Sequence, residues 1–152
     1  MRLGLCAAIA ALLFPAVAAA HTDAGWQLAL RWPADGTVTS PYGQDGYRWH
    51  SGLDIGILRS LDVIAAADGV VTQVGFVQGY EGYGNVVVVQ HRAGYATLYA
   101  HLSRPLARIG EHVLQGERMG IAGCTGWCTG THVHFEVRYR NVPIDPSLLI
   151  VG

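Results

Sequence analysis

Alternating apolar and polar residues recur along most of this 152-residue chain and predict a series of short β-strands. The best-defined apolar runs cover 63–66, 69–75, 85–90 and 95–99. Turn-forming dipeptides such as Asp68-Gly69 and Ala93-Gly94 separate these runs at the spacing of β-hairpins. The unbroken apolar run at 86–89 suits a central strand that is covered on both faces. The pattern predicts a mainly β fold, a single domain built on an antiparallel β-sheet with little helix.

The same alternation appears near both ends of this region. A lead-in strand is predicted within residues 21–35, because apolar residues alternate there until Pro33 ends the pattern. The alternating residues are Trp26, Leu28, Leu30 and Trp32. The final residues, 148–152, are predicted to form a short C-terminal tail.

The first twenty residues have a different pattern. Met1-Arg2 is followed by an apolar run from Leu3 to Ala20 that ends in small residues. A charged start, an apolar centre and a small-residue end are typical of a secretory signal peptide, here 1–20. The alternative is an uncleaved membrane anchor, because about 18 apolar residues can just span a bilayer. The first interpretation predicts an exported protein, periplasmic or extracellular at the cell wall, without stable membrane insertion after signal cleavage.

Composition narrows the possible partners. The chain has a formal net charge of −1, and its ten basic residues are all arginine and are scattered along the sequence. No basic run is present to bind nucleic acid or anionic lipid, so neither is predicted as a partner. A chain of this length can bury one core but not two, which favours a single domain.

The densest chemistry lies in residues 120–136, which combine a glycine-rich loop, a Cys-x3-Cys pair and a His-x-His motif. Residues two apart on a strand share one face, so His132 and His134 are expected to project together. Two imidazoles bind zinc poorly without a third ligand. The upstream pair His50 and Asp54 offers another imidazole and a carboxylate, and a catalytic zinc site uses three such ligands and keeps one position open.

With these motifs the sequence resembles the LytM or lysostaphin-type zinc metalloendopeptidases, which cut peptides of bacterial peptidoglycan. The resemblance rests on His50-x-x-x-Asp54, Tyr99-Ala-His101-Leu102 and His132-x-His134-Phe-Glu136 in the family's order, and it spans about residues 36 to 146. It implies a lysostaphin-type, barrel-sandwich-hybrid-like fold with an active-site groove on the sheet. The zinc peptidase domain is then expected at 36–147.

The resemblance also implies roles for individual residues. His50, Asp54 and His134 are expected to hold one Zn²⁺ per chain, and His101 and His132 to handle the proton and the oxyanion. On spacing alone, His101 is more simply a structural residue at a strand end. Glu136 shares strand parity with both histidines of the motif, so it is either a partner that orients an imidazole or a strand-end residue that pairs with an arginine.

Two segments depart from the family pattern. Where the family usually shows Phe-Gly-x-Arg, this chain has Tyr42-Gly43-Gln44-Asp45, and either Tyr42 or Tyr47 is a candidate to place a phenol beside the reacting carbonyl. Aromatic packing over a loop is the alternative.

Cys124 and Cys128 stand in a loop that is usually polar in the family. They suit a disulfide in an exported chain, with zinc ligation or redox chemistry as alternatives. So small a closed loop removes about 2 kcal/mol of unfolded-state entropy, so its expected role is to hold the His132 loop rigid.

The function predicted from the sequence is hydrolysis of peptide bonds in the stems or cross-links of peptidoglycan by a secreted zinc endopeptidase. A different class remains open on the same fold, a non-catalytic wall-binding or amidase-activating module, and so does an additional regulatory protein partner. A third possibility is a copper site at His21, which becomes the mature N-terminus if cleavage follows Ala20.

Overall fold

The computed structural model describes residues 28–46 and 48–151. The predicted signal peptide, His21, Trp26 and Tyr47 lie outside these residues. Helical structure in the described part of the chain is limited to three short 3-10 turns, Glu81–Tyr83, Arg92–Gly94 and Pro146–Leu148. Over the same residues, no helix has the length and apolar character needed to cross a membrane.

Antiparallel strands form the rest of the architecture, so the predicted mainly β fold with little helix is confirmed. The main sheet contains, in spatial order, β1 (Thr37–Ser40), β4 (Leu53–Gly56), β12 (Val133–Tyr139), β8 (Tyr95–Leu102), β7 (Asn85–Gln90), β6 (Gly69–Phe76) and β10 (His112–Val113). Beside β12 lies β13 (Val142–Ile144). A smaller sheet has the order β5 (Asp62–Ile64), β11 (Arg118–Ile121), β9 (Arg104–Pro105), and β2 (Gly43–Asp45) pairs with β3 (Arg48–His50).

Both faces of the main sheet are covered, one by the larger hydrophobic core and the other by a smaller apolar cluster. On one face, Phe135 and Tyr99 pack with residues of the smaller sheet, including Met119, in the larger core. On the other face, a smaller apolar cluster contains Val86 and Val88 beside the polar residues of β12. The predicted burial of run 86–89 on both faces is therefore found, with Val87 and Val89 in the larger core.

The two ends of the described chain meet. Leu30 is fully buried, its amide donates to the Leu149 carbonyl (2.9 Å), and it bridges Ile150 in parallel orientation. Residues 28–36 contain isolated bridges at Leu30 and Ala34 instead of the continuous strand expected in this part of 21–35. Pro33 lies between the two bridges and has no amide hydrogen for a ladder. The expected C-terminal tail likewise packs, because Leu149 and Ile150 contact the larger core.

Candidate metal centre

Strand pairing places three potential metal ligands side by side. His134 on β12 lies directly opposite Asp54 on β4, and His50 ends the short strand that precedes β4. His50 Nε2 lies 3.0 Å from His134 Nδ1 and 3.2 Å from Asp54 Oδ1, and His134 Nδ1 lies 2.9 Å from the same oxygen. Flanking residues Leu53 and Ile55 point into the core, so alternation along β4 directs Asp54 to the opposite face.

When each of the two imidazoles is neutral, its outer hydrogen bond leaves the inner nitrogen without a proton. His50 Nδ1 donates to the Pro41 carbonyl at 2.7 Å, and His134 Nε2 donates to Glu136 Oε1 at 3.1 Å, because these oxygens can only accept. Neutral imidazoles then direct lone pairs from His50 Nε2 and His134 Nδ1 toward the Asp54 carboxylate. Three acceptors at such short separations repel one another unless a cation lies among them.

The size and chemistry of this triangle fit zinc. Two tetrahedral ligands at about 2.1 Å from one zinc ion are about 3.4 Å apart, a few tenths of an ångström more than the observed separations of 2.9–3.2 Å. Two imidazole nitrogens and one carboxylate oxygen form a ligand set that zinc accepts while keeping a position open.

Electrostatics keeps the carboxylate ionised. Burial alone would raise the pKa of Asp54, but hydrogen bonds from the protonated forms of His134 and His50 outweigh burial and hold that pKa well below its usual range. The hydrogen bond with Asp54 raises the pKa of His50. Burial lowers the pKa of His134, but its contacts with Asp54 and Glu136 outweigh this effect and raise it. The carboxylate is therefore charged and available as a ligand throughout the neutral range.

Glu136 supports the metal centre through hydrogen bonds with His134 and with neighbouring donors. Its carboxylate is fully buried, and Oε1 accepts hydrogen bonds from Ser51 Oγ and Tyr83 Oη, each at 2.6 Å, in addition to His134 Nε2. Arg138 Nε donates to the second oxygen at 2.6 Å. Burial raises the pKa of Glu136, but these donors outweigh burial and lower it to about 2. Of the two roles left open for Glu136, the structure contains both, since one oxygen contacts the imidazole and the other the arginine.

The sequence did not identify most of the residues that donate hydrogen bonds around Glu136. The sequence pattern indicates no role for Ser51, Tyr80 or Tyr83, and it offers an arginine only as an unspecified partner of Glu136. Arg138 Nη1 also donates to Tyr80 Oη at 2.7 Å, so this arginine is occupied within the protein. The one available signal was the parity of Arg138 with His134 and Glu136 along β12.

His101 reaches the same face through a β-bulge. The pairing of β7 and β8 shifts by one residue, because Val87 lies opposite Tyr99 whereas Asn85 lies opposite Leu102. His101 in the bulge has a left-handed backbone with φ of 60°. Simple alternation would have placed it on the core face with Tyr99. A bulge re-aims side chains, and here the His101 ring lies 4.6 Å from that of His132 between centroids.

The two further imidazoles both present Nε2 to the centre. His101 Nδ1 donates to the Thr125 carbonyl and His132 Nδ1 donates to the Gly130 carbonyl, each at 2.8 Å. Burial and the neighbouring imidazoles lower the pKa of His101 despite its hydrogen bond to Thr125, so this ring is neutral at neutral pH. His132 Nε2 lies 3.7 Å from Asp54 Oδ1, at the edge of the ligand triangle.

An open groove runs over the centre. Aromatic side chains form much of its walls, including Trp49 and Trp127, which are 66% and 79% exposed. Tyr80 and Tyr83 line it as well, whereas Tyr42 does not: its hydroxyl donates to the Pro143 carbonyl at 3.0 Å. The Tyr42 ring also contacts Trp49 of β3 edge to face, with the ring centroids 5.4 Å apart.

Solved structures include proteins with a similar fold. A 32% identical zinc-containing peptidase from Vibrio cholerae superposes with a TM-score of 0.68, over 78% of this chain and 39% of that one. Lysostaphin from Staphylococcus simulans, 25% identical, superposes with a TM-score of 0.69 over 81% of this chain and 52% of that one.

Curated relatives extend the likeness in sequence. The DD-carboxypeptidase/endopeptidase Mpg of Neisseria meningitidis is 38% identical over 115 residues, which are 72% of this chain and 26% of Mpg. The murein hydrolase activator NlpD of Salmonella dublin is 34% identical over 119 residues, 78% of this chain and 30% of NlpD. The chain thus spans less than a third of the length of these relatives. The model of peptidase family M23 matches residues 48–146, which include all five of the converging groups, and the chain belongs to this family.

Proposed function

We propose that this protein is an exported zinc endopeptidase that hydrolyses peptide bonds in the stems or cross-links of peptidoglycan. The observation that carries the proposal is the convergence of three potential ligand atoms, from His50, Asp54 and His134, beside two further imidazoles whose Nδ1 atoms donate to backbone carbonyls. Relatives named as an endopeptidase and as a murein hydrolase activator support peptidoglycan as the substrate.

His50 Nε2, Asp54 Oδ1 and His134 Nδ1 would hold the metal. Bound zinc would supply a water molecule with a pKa lowered to about 7 and a Lewis acid for the substrate carbonyl. The protein contributes the orientation of the ligands: the Pro41 carbonyl holds the His50 ring, and Glu136 holds the His134 ring.

His132 and His101 handle the proton. The Nε2 lone pair of either neutral ring can accept a proton from the attacking water. Once protonated, the same nitrogen is a donor, and it can return the proton to the leaving amine nitrogen. General acid–base assistance of this kind contributes about 10²–10⁴ in rate. His132, at 3.7 Å from Asp54, is the nearer of the two to the ligand triangle.

The test is digestion of purified, cross-linked peptidoglycan by the mature protein. Fragments are analysed by mass spectrometry in three reactions: untreated, with a chelator, and with the chelator followed by excess zinc. We expect cross-linked dimers to become monomers only in the untreated and zinc-restored reactions, and the fragment masses to identify the bond. Absence of cleavage by zinc-loaded protein on walls of several cross-link chemistries would contradict the proposal.

Two alanine variants separate ligand from proton carrier. His134→Ala should lose bound zinc, measured by metal analysis after gel filtration. His132→Ala should retain zinc and lose turnover by about 10²–10⁴. Equal loss of zinc in both variants would show that the assignment of His132 is wrong.

Relatives named murein hydrolase activators favour one second candidate, activation of another wall hydrolase. This candidate predicts that zinc-loaded protein leaves peptidoglycan intact alone but increases its digestion by an added amidase. Retention of this stimulation in His132→Ala would distinguish activation from catalysis.

A further inference from the structure

The loop that carries the two cysteines touches both of the histidines outside the ligand triangle. Its ends meet where the His132 amide donates to the Gly123 carbonyl at 3.1 Å, and a disulfide joins Cys124 to Cys128 with Cα atoms 5.5 Å apart. Within it, the Thr125 carbonyl accepts from His101 and the Gly130 carbonyl accepts from His132. The sequence pointed only to a link with His132.

These two carbonyls decide which nitrogen carries the proton in each ring. A neutral imidazole has one N–H, and the partner of one nitrogen sets the state of the other. A carbonyl can only accept, so His101 and His132 each keep their proton on Nδ1 and a lone pair on Nε2. A ring with the opposite tautomer has its proton on Nε2 and cannot accept another there.

The inner side of the loop is anchored to the sheet at several points. Thr125 Oγ1 accepts from the Asn85 amide at 2.9 Å and donates to the Leu102 carbonyl at 2.8 Å. The Trp127 amide donates to the Gly82 carbonyl at 2.8 Å. A Cβ at Gly84 would overlap the Thr125 carbonyl, so only glycine permits this close approach.

The outer surface of the loop is exposed to solvent. Cys124, Gly126 and Trp127 are exposed, with Trp127 at 79%, and no regular strand runs between Gly123 and His132. Apolar burial therefore contributes little to holding this part of the loop. The disulfide restricts the backbone on either side of Thr125 to a small range of conformations.

We infer that the disulfide-closed loop 124–130 is a positioning element for both histidines, fixing the Nδ1–H tautomer and ring orientation of His101 and His132. The importance of this loop for catalysis rests on the proposed role of His101 and His132 as proton carriers. The tautomers themselves can be measured whether or not the protein is active. The disulfide thus influences two histidines from different parts of the fold, His101 on β8 and His132 immediately before β12.

The test is the long-range ¹H–¹⁵N spectrum of the imidazoles in zinc-loaded protein labelled with ¹⁵N, recorded at one fixed pH of about 8 where imidazoles are neutral. In wild type, His101 and His132 should show the Nδ1–H pattern. In Cys124→Ser/Cys128→Ser, both should show mixed tautomers, with turnover lowered about 10- to 100-fold and zinc affinity unchanged.

His91 provides an internal control, because its Nδ1 donates to the Asp68 carbonyl outside the loop at 2.7 Å and its signals should not change. Thr131→Ala, at the exposed position between the loop and His132, should keep the wild-type tautomers at all three rings. If the double variant also loses the His91 pattern, wild type reduced in the folded state with a phosphine takes its place, and mixed tautomers at His101 and His132 are again expected.

Unchanged tautomers at His101 and His132 after loss of the disulfide would overturn the inference, whether or not the protein cleaves peptidoglycan. Two free thiols in the exported wild-type protein would overturn it as well. Altered tautomers in a protein that cleaves no wall would leave the positioning role intact and contradict the proposed function instead.

Discussion

Glu136 illustrates how much a single buried charge depends on its partners. An ionised carboxylate without compensation is very costly to bury, yet this one is fully buried and keeps a pKa of about 2. The carboxylate stays ionised because it accepts hydrogen bonds from four side chains, those of Ser51, Tyr83, Arg138 and His134. The carboxylate in turn fixes the His134 ring with Nδ1 toward the ligand triangle.

Glu136→Gln should weaken zinc binding about 10- to 100-fold, the usual effect of removing a partner that orients a metal ligand. An amide cannot accept at both ends, so either His134 or Arg138 loses its acceptor. The dissociation constant is measured by competition with a chromogenic chelator, and circular dichroism confirms folding.

Tyr83→Phe is the matched control for Glu136→Gln, because it removes one of the hydrogen bonds but keeps the carboxylate. Its zinc dissociation constant should rise less than that of Glu136→Gln. A folded Glu136→Gln variant with wild-type zinc affinity would show that the buried carboxylate does not orient His134.

His91 is the structural histidine of the core and predicts a pH dependence. Burial lowers the pKa of His91 despite its hydrogen bond to the Asp68 carbonyl, and Thr97 Oγ1 lies 2.8 Å from the other ring nitrogen. Because the folded pKa is below the unfolded value of about 6.5, the unfolded state binds more protons as the pH falls. The contribution of His91 to stability is therefore complete above about pH 6.5 and decreases below it.

His91→Asn should lower the free energy of unfolding at pH 8 by about 1–3 kcal/mol, because buried hydrogen bonds are lost. Urea denaturation of wild type and variant from pH 8 to pH 5 should show a difference that shrinks as the pH falls. His112→Asn, at an exposed position, is the control. A difference that is constant with pH would rule out this role for the His91 proton.

At the scale of the strand, the bulge in β8 decides where His101 points. Its left-handed backbone, φ 60°, is unfavourable for most residues, tolerated by Asn and worst for β-branched side chains. Placing His101 at this position of β8 therefore costs conformational free energy. The rest of the strand offsets it, because its residues from Ala96 to Leu102 are buried.

His101→Asn and His101→Val separate the backbone effect from the chemistry. Both variants should retain zinc and lose turnover, since neither side chain carries a proton as imidazole does. Thermal denaturation should place His101→Val about 1–3 kcal/mol below His101→Asn, because valine adds the cost of a left-handed backbone. Equal stability of the two would mean that the bulge relaxes at no cost.

At the scale of the whole molecule, the ends of the described chain close the larger core. Leu30 is fully buried, its carbonyl accepts from the Val151 amide at 2.8 Å, and Ile150 packs beside the core. The groove lies on the other face of the main sheet. The larger core, which stabilises the fold, and the metal centre therefore lie on opposite faces of the main sheet.

Leu30→Ala should lower the free energy of unfolding by about 2–5 kcal/mol, the usual cost of a large-to-small change in a core. Val151→Ala, at a residue that is 61% exposed, should change it by less than about 0.5 kcal/mol. Urea denaturation measures both, and zinc affinity below the unfolding transition should be unchanged in both. Loss of zinc affinity in folded Leu30→Ala would contradict this separation of faces.

The local pattern of apolar and polar residues was sufficient to predict several features of the protein. Alternation in β12 put Phe135 and Val137 in the core and His134 and Glu136 on the other face, because a regular strand has a period of two. The antiparallel sheet followed from apolar runs spaced by turns. Ligand chemistry also grouped His50 and Asp54 with the His132-x-His134 motif, and the family resemblance selected His50, Asp54 and His134 as the metal ligands.

Other features needed the folded chain, since they depend on pairing between distant segments. The bulge that turns His101 exists only in the register of β7 against β8. The contact of Arg138 with Tyr80 depends on how a loop lies over the sheet, and no periodicity encodes that. Likewise, a hydrogen bond from His101 to Thr125 joins residues 24 positions apart, so which nitrogen of that histidine carries its proton is a tertiary property.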